Sequence, residues 1–206
     1  MESGPERPPV VDFVGGAVGH RLRYGGGGRN QALARSVGLA RDPMPTIVDA
    51  TAGLGRDAFL LACEGAHIVL LERSPAVQVL LRDGLERARA AGPELAAVVA
   101  RMTLIQGDAR SLLPGLRPDV VLVDPMHPPR NNTALVKKDM RLLRELVGPD
   151  SDALELMQVA LASATKRVVL KWPRLAAAMP GLRDPSHRII GKTVRYDVFM
   201  IPAAGS

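Results

Sequence analysis

Four acidic residues stand at or just past the ends of short apolar runs: Asp49 after Thr46-Ile47-Val48, Glu72 after Ile68-Val69-Leu70-Leu71, Asp108 beyond Thr103-Leu104-Ile105, and Asp124 after Val120-Val121-Leu122-Val123. A carboxylate accepts hydrogen bonds through both oxygens and attracts cations. Such a set suits a ligand with neighbouring hydroxyls, an amino group and a positively charged end. The sharpest motif is Asp49-Ala50-Thr51-Ala52-Gly53-Leu54-Gly55-Arg56-Asp57, in which Gly53 and Gly55 let the backbone turn tightly and approach a ligand closely. Ala58 holds the place of the third glycine of a dinucleotide fingerprint, so the glycines alone leave a dinucleotide open. The acids argue otherwise. A pyrophosphate wants a bare helix N-terminus, whereas here Asp57 opens the helix and Asp49 precedes the turn. Glu72 follows Asp49 by 23 residues, the place of an acid that can hold both ribose hydroxyls of an adenosine. Asp108 is placed to accept from an adenine amino group. A purine nucleoside with a charged amino-acid tail meets these requirements, and S-adenosylmethionine is such a molecule. Each acid also has a plainer reading, with Asp49 or Asp57 capping a helix and Glu72 an exposed strand-end acid.

The fourth acid opens Asp124-Pro125-Met126-His127, followed by Pro128-Pro129. This is similar to the Asn/Asp-Pro-Pro-aromatic motif of enzymes that methylate amino groups on planar, delocalised systems. An exocyclic amine on a base is a poor nucleophile because its lone pair is conjugated into the ring. The Asp124 carboxylate and the Pro125 carbonyl can accept from its N–H bonds and turn the lone pair toward a methyl group, so that alignment and electrostatics carry the catalysis. His127 is flat enough to stack on the base, and equally an ordinary loop histidine. A base inside a duplex cannot reach such a crevice; the target is single-stranded, terminal or flipped out. No His, Cys or acid cluster has metal-ligand spacing, and transfer from a sulfonium needs no metal. Cys63, the one cysteine, reads as a buried small hydrophobe.

The net charge of +6 is unevenly placed over the 206 residues. Phe13 to Arg41 carries +5, Pro43 to Asp124 carries −2, Pro125 to Arg144 carries +4, Glu145 to Ala162 carries −4 and Ser163 to Arg195 carries +7. Basic segments thus flank a slightly acidic middle, which favours a polyanionic partner, nucleic acid first. Phosphate contacts are expected from Arg21, Arg23, Arg29, Arg130, Lys137, Lys138, Arg141 and Lys171, and the three basic segments are expected to converge on the mouth of the Asp124 crevice. Lys137, Arg141 and Arg144 read equally as a solvated helix face. Trp172 beside Lys171 could stack on substrate or belong to the core. No apolar run is long enough for a membrane span, and no signal-peptide pattern opens the chain, so a cytoplasmic location is expected.

These residues need a scaffold that brings strand ends together. The apolar runs, with Val168-Val169-Leu170 as a fifth, are short, β-branched and nearly continuous, as buried parallel strands are. Helix-compatible stretches lie between them: Asp57 to Glu64, Pro75 to Ala91, Lys137 to Leu146 and Ala153 to Ala162. Strand and helix in alternation predict an α/β fold with a doubly wound, mostly parallel sheet. Arg188 to Ile190 and Tyr196 to Ile201, around Gly191-Lys192-Thr193, predict an antiparallel hairpin at its edge. Residues 1–45 read as a separate, basic, Gly-rich lead-in, and residues 46–206 as the ligand-binding domain.

In order along the chain, Val11 to Ala17, the basic glycine run Arg21 to Gly28, Asp49 to Phe59, Leu71-Glu72-Arg73, Asp124-Pro125-Met126, Ala134 to Lys138 and Ala164 to Val169 resemble the RsmJ family of bacterial 16S rRNA guanine-N2 methyltransferases, from about Val11 to Pro202. The resemblance implies a class I, Rossmann-like, seven-stranded fold and methyl transfer from S-adenosylmethionine to the 2-amino group of one guanine in 16S rRNA or the small subunit, by a monomer or weak dimer. It places cofactor contacts on Arg56, Asp57, Glu72, Arg73, Asp108, Ala109 and Asp124. Two departures stand out: Asp108-Ala109 replaces a usual pair of serines, and His127 replaces a usual Phe or Tyr. Family members also carry an N-terminal segment ahead of the matched part. Other readings of the same residues are methylation of adenine in nucleic acid or of a protein glutamine, and a non-catalytic rRNA-binding assembly factor.

Overall fold

The computed structural model describes residues 10–15, 28, 31–40, 45–125 and 152–202. The expected strands all form. They are β1 (Thr46–Asp49), β2 (His67–Glu72), β3 (Met102–Gln106), β4 (Val120–Val123), β5 (Arg167–Pro173), β6 (His187–Ile190) and β7 (Val194–Met200). They make one sheet in the order β3-β2-β1-β4-β5-β7-β6. The first five strands pair in parallel, while β7 runs antiparallel to both β5 and β6. The order reverses between β1 and β4. There the connections leave in opposite directions and open a crevice beyond the carboxyl ends of the strands.

The helices are α1 (Ala32–Val37), α2 (Arg56–Cys63), α3 (Pro75–Ala90), α4 (Pro93–Val99), α5 (Ala109–Leu116) and α6 (Ala153–Ser163). Three of these were expected from the sequence; α1, α4 and α5 were not. α1 and α4 have six and seven residues, too short for a helical period to show, and α5 carries Pro114 inside it. The expected helix from Lys137 to Leu146 lies outside the described residues.

Near-continuous apolar strands are explained by burial on both faces. On one face Ile47, Ile68, Leu70, Leu122, Val169 and Val198 pack with α1, α2, α3 and α4. On the other, Val48, Leu71, Val121, Val123, Val168, Leu170 and Phe199 pack with α5 and α6. Alternate residues of one strand therefore enter different cores.

The N-terminal residues are not separate from this core. Val11 and Phe13 are buried in the first cluster together with Leu33, Val37 and Leu39. Phe13 stacks on Phe59 of α2, with ring centroids 4.2 Å apart. Arg87 of α3 donates to the Val11 carbonyl at 2.8 Å. The reading of a separate lead-in fails for these residues because their apolar side chains complete the helical layer over the sheet.

Gly84 lets this strap lie against α3: a Cβ there would meet Val11 Cβ at 2.7 Å and the Val11 carbonyl oxygen at 2.8 Å. Alanine normally gains about 1 kcal/mol over glycine inside a helix. Here Gly84→Ala is expected to lower stability, by about 1–3 kcal/mol from overpacking against backbone. Urea unfolding checks it, and a midpoint above wild type would refute the docking of Val11 on α3.

Candidate functional site

The crevice at the strand-order reversal is an open cleft of about 610 Å³, counting the solvent at its mouth. Its floor is Ala50, Thr51 and Gly53 after β1, Leu71, Glu72 and Arg73 at the end of β2, and Asp124 and Pro125 after β4. Gly107, Asp108, Ala109 and Arg110 close one side, and Asp152, Ala153 and Leu156 another.

Asp124 stands where β1 and β4 part. Its backbone N–H donates to Thr51 Oγ1 at 2.7 Å, which ties the end of β4 to the turn after β1. Its carboxylate pairs with Lys171 Nζ at 2.8 Å, and the same ammonium donates to Asp57 Oδ2 at 2.7 Å. Lys171 lies on β5, Asp57 in the first turn of α2, and Asp124 past β4. Burial opposes the charge on Lys171, but the Asp57 and Asp124 carboxylates outweigh it and hold the ammonium above the usual lysine range. The Asp124 side chain remains 42% exposed, so the clasp leaves it open to the crevice.

Asp49 lies underneath. It is buried, and its Oδ1 accepts from the Thr51 N–H at 3.1 Å. Desolvation, with the Asp57 and Asp124 charges adding to it, pushes its pKa up to about 7. Asp49 therefore braces the turn from inside and is not among the cleft-lining residues.

The turn itself is held by Glu72. One carboxylate oxygen accepts from Gly53 N–H at 2.9 Å and the other from Ser74 N–H at 2.7 Å. Asp108 caps α5 by accepting from Arg110 N–H at 2.9 Å, and its carboxylate also meets the Arg110 guanidinium, the nearest oxygen at 2.6 Å. That bond holds its carboxyl below the usual carboxylate range. Arg110 reaches on to Glu155 and Asp152, and Arg73 pairs with Asp152 at 2.6 Å. A chain of alternating charge thus rims the cleft from β2 to α6.

The structure brings Gly53, Glu72, Arg73, Asp108, Ala109, Asp124 and Pro125 together around the cleft. Four expectations change. Asp49 moves beneath the turn, as above. Gly55 faces the core and not a ligand: with φ +67°, a Cβ there would meet Leu81 Cδ1 at 2.7 Å and Phe13 at 3.5 Å. Asp57 and Lys171 neutralise each other, so Lys171 is a carboxylate clasp and not a phosphate contact, because its ammonium is already engaged by two acids. Arg56 is half-buried in the first turn of α2 and does not line the cleft. Trp172 is buried, with its indole N–H on the Ala177 carbonyl, and belongs to the core. Thr51, Arg110 and Asp152 were missed; only the cap position of Asp108 hinted at Arg110. Met126, His127, Arg21, Arg23, Arg29, Arg130, Lys137, Lys138 and Arg141 lie outside the described residues.

The expected convergence of charge fails in part for the third basic segment. Lys166 precedes and Arg167 starts β5 at the end of the sheet remote from Asp124, and Arg183 bonds the Met200 carbonyl at that same end. Lys171, Arg174, Lys192 and Arg195 stand at the crevice end, and Lys171 and Arg195 are consumed by ion pairs. The cause is strand direction: one strand carries its first and last residues to opposite ends. Among the described residues no group of three side chains could hold a metal ion, and no helix is long and apolar enough to cross a membrane.

Two outcomes follow. Lys171→Met leaves Asp57 and Asp124 facing without a cation and should cost about 1–3 kcal/mol in denaturant unfolding, less than a fully buried pair because the carboxylates are partly wet. Adding Asp57→Asn should recover part of that loss; full stability in the single variant would show that the clasp is not structural. For Asp49 the native pKa is raised, so the folded state binds more protons than the unfolded state between about pH 4 and pH 7. Its contribution to stability declines as pH rises through that window and is flat above it. Asp49→Asn should remove this slope and exceed wild type in stability at pH 8, by thermal unfolding across pH.

The chain matches, over residues 2–201, the model of a family described as SAM-dependent methyltransferase. It is 66% identical over 192 residues to Ribosomal RNA small subunit methyltransferase J of Agrobacterium fabrum, covering 93% of this chain and 92% of the relative. Its identity with the same-named protein of Brucella anthropi is 65% over 191 residues, covering 93% of each. Among solved structures, a SAM-dependent methyltransferase from Neisseria gonorrhoeae superposes with a TM-score of 0.75 at 36% identity, covering 98% of this chain and 78% of the other. The strand order, the acid-lined cleft at its reversal and these matches along nearly the whole chain agree: this chain belongs to the S-adenosylmethionine-dependent methyltransferases of the RsmJ family.

Proposed function

We propose that this enzyme methylates the exocyclic 2-amino group of a guanine in small-subunit rRNA, with Asp124 holding the amine. The observation that carries the site assignment is the state of Asp124: it stands at the strand-order reversal, backbone anchored on Thr51, carboxylate oriented by Lys171, and still open to the cleft. The substrate class is supported by the close relatives, which are named as small-subunit rRNA methyltransferases. Cytoplasmic location follows from that substrate.

The donor set fits S-adenosylmethionine. Glu72 and Asp108 offer carboxylates at neighbouring strand ends for ribose and adenine, the Gly53 turn lets backbone approach, and Leu71, Ala109 and Leu156 supply apolar wall. When bound, S-adenosylmethionine supplies an electrophilic methyl group on a sulfonium. The remaining work belongs to this chain. Asp124 and the Pro125 carbonyl accept from the target amine and aim its lone pair inward. Lys171 keeps the Asp124 carboxylate from rotating away. His127, on sequence grounds, stacks on the base. Alignment of this kind replaces the entropy of a chance encounter, which is where most of the rate is gained.

Asp124→Asn should reduce methyl transfer to 16S rRNA by about 100-fold or more, the scale of losing one oriented polar contact to the reacting group. S-adenosylhomocysteine binding by calorimetry should persist. Labelled methyl donor offered to pools of rRNA, DNA and protein checks the substrate: label in guanine N2 of rRNA is expected, and label confined to adenine or glutamine would transfer the same amine-holding chemistry to another target.

A further inference from the structure

The segment after β5 is built in an unusual way. Residues 173–177 wrap around the guanidinium of Arg195, which is buried on β7. Its Nη1 donates to the carbonyls of Pro173 at 3.1 Å, Arg174 at 3.1 Å and Ala176 at 2.6 Å, and its Nη2 to that of Ala177 at 3.5 Å. Asp197 balances the charge through Arg195 Nε at 2.9 Å. Trp172 adds a second bond to the Ala177 carbonyl at 2.8 Å. The β6–β7 turn is laced to the same loop, because the Arg174 N–H donates to the Thr193 carbonyl at 3.1 Å and Arg174 Nη1 to the Lys192 carbonyl at 3.5 Å.

With its carbonyls drawn inward, the loop leaves Arg174 and Leu175 exposed while Ala176 packs on the core. Leu175 is 85% exposed, the most exposed of the large apolar side chains among the described residues. Arg174 precedes it and Lys192 lies on the turn bonded to Arg174; both are exposed, and neither has a carboxylate partner among the described residues. All three stand at the crevice end of the sheet, Arg174 and Leu175 just past the carboxyl end of β5 and Lys192 in the β6–β7 turn. One exposed leucine is ordinary. A leucine on a hydrogen-bonded loop with two exposed cations that lack a carboxylate partner among the described residues, at the end of the sheet that takes a nucleic-acid base, has a chemistry of its own: cations for phosphates, an apolar tip for a base or ribose face.

We infer that Arg174, Leu175 and Lys192 form a docking lip for the RNA backbone next to the target nucleotide. This rests on the rRNA reading above and deepens it, since it names a contact surface made of residues different from the basic residues picked out in the sequence. Charge complementarity selects a polyanion over an apolar partner, and rigidity keeps the ordering cost low when RNA arrives.

The test measures transfer to 16S rRNA as a function of RNA concentration and salt. Arg174→Ala with Lys192→Ala should raise KM for rRNA about ten-fold and reduce the slope of log affinity against log salt by about one to two, as expected for two lost phosphate contacts. Leu175→Ser should raise KM without changing that slope. S-adenosylhomocysteine affinity should stay at the wild-type value and thermal unfolding close to it, because Leu175 and Lys192 are exposed and Arg174 gives up a single long side-chain bond, at 3.5 Å, while its backbone bond to Thr193 remains. Lys166→Ala with Arg183→Ala, which removes the same charge at the remote end of the sheet, should leave KM within about two-fold. A wild-type enzyme that methylates rRNA with a KM unaffected by the lip variants would overturn the lip alone. A wild-type enzyme that methylates no rRNA would overturn the substrate reading and the lip with it. A defect seen on assembled subunits but absent on naked rRNA would assign the lip to a ribosomal protein and overturn the RNA contact.

Discussion

One ammonium joins three parts of the fold at the crevice and sets how their carboxylates face it. Lys171 leaves the end of β5 and meets Asp57 at the start of α2 and Asp124 past β4. Parallel pairing sets the strands side by side, but it does not orient a carboxylate beyond their ends. The clasp does that, at the cost of desolvating a lysine, and two acids are needed to offset that cost. A third acid, Asp49, is buried beneath them, and desolvation, with the neighbouring carboxylates adding to it, holds its proton to about neutral pH. The middle of the chain is acidic by composition, yet much of that negative charge is spent inside the protein.

The cofactor end is organised by a second economy of hydrogen bonds. Glu72 ties the Gly53 turn to the start of α3, and Asp108 caps α5. The acids that would face a nucleoside are the same acids that fix the backbone around it. Preorganisation is built in, because these carboxylates are held by the protein's own N–H groups. Arg73, Arg110 and Asp152 extend this rim to α6 by alternating charge.

At the opposite edge of the site, Arg195 performs for the loop after β5 what Glu72 performs for the turn after β1. A buried polar group with several bonding directions gathers backbone that would otherwise need water. The two devices differ in what they display. Glu72 draws a backbone turn toward a pocket, and Arg195 pushes Arg174 and Leu175 out of one. A small-molecule site and a macromolecular surface thus arise from the same rule about buried polar groups, applied at two strand ends.

The strands, their parallel order and the crevice were legible because short β-branched runs buried on both faces leave a nearly continuous apolar signature. The acids in phase with those runs followed from the same fact: a residue that ends a parallel strand must stand at the crevice. The helix α4 was hidden because seven residues carry too little periodicity, α5 because Pro114 stands inside it, and the core packing of Val11 and Phe13 because a strap has no period at all. Which charges face a ligand was equally hidden. Gly55 and Gly53 look alike in the chain, yet Leu81 and Phe13 claim the space above Gly55 while Gly53 opens on the cleft. Lys171 reads as a free cation until Asp57, 114 residues away, is brought to 2.7 Å of it. Local pattern thus settled where the chemistry stands, since strand ends are set by nearby residues. Which groups neutralise one another rests on pairs distant in the chain, and only packing of the completed sheet brings those pairs within reach of a hydrogen bond.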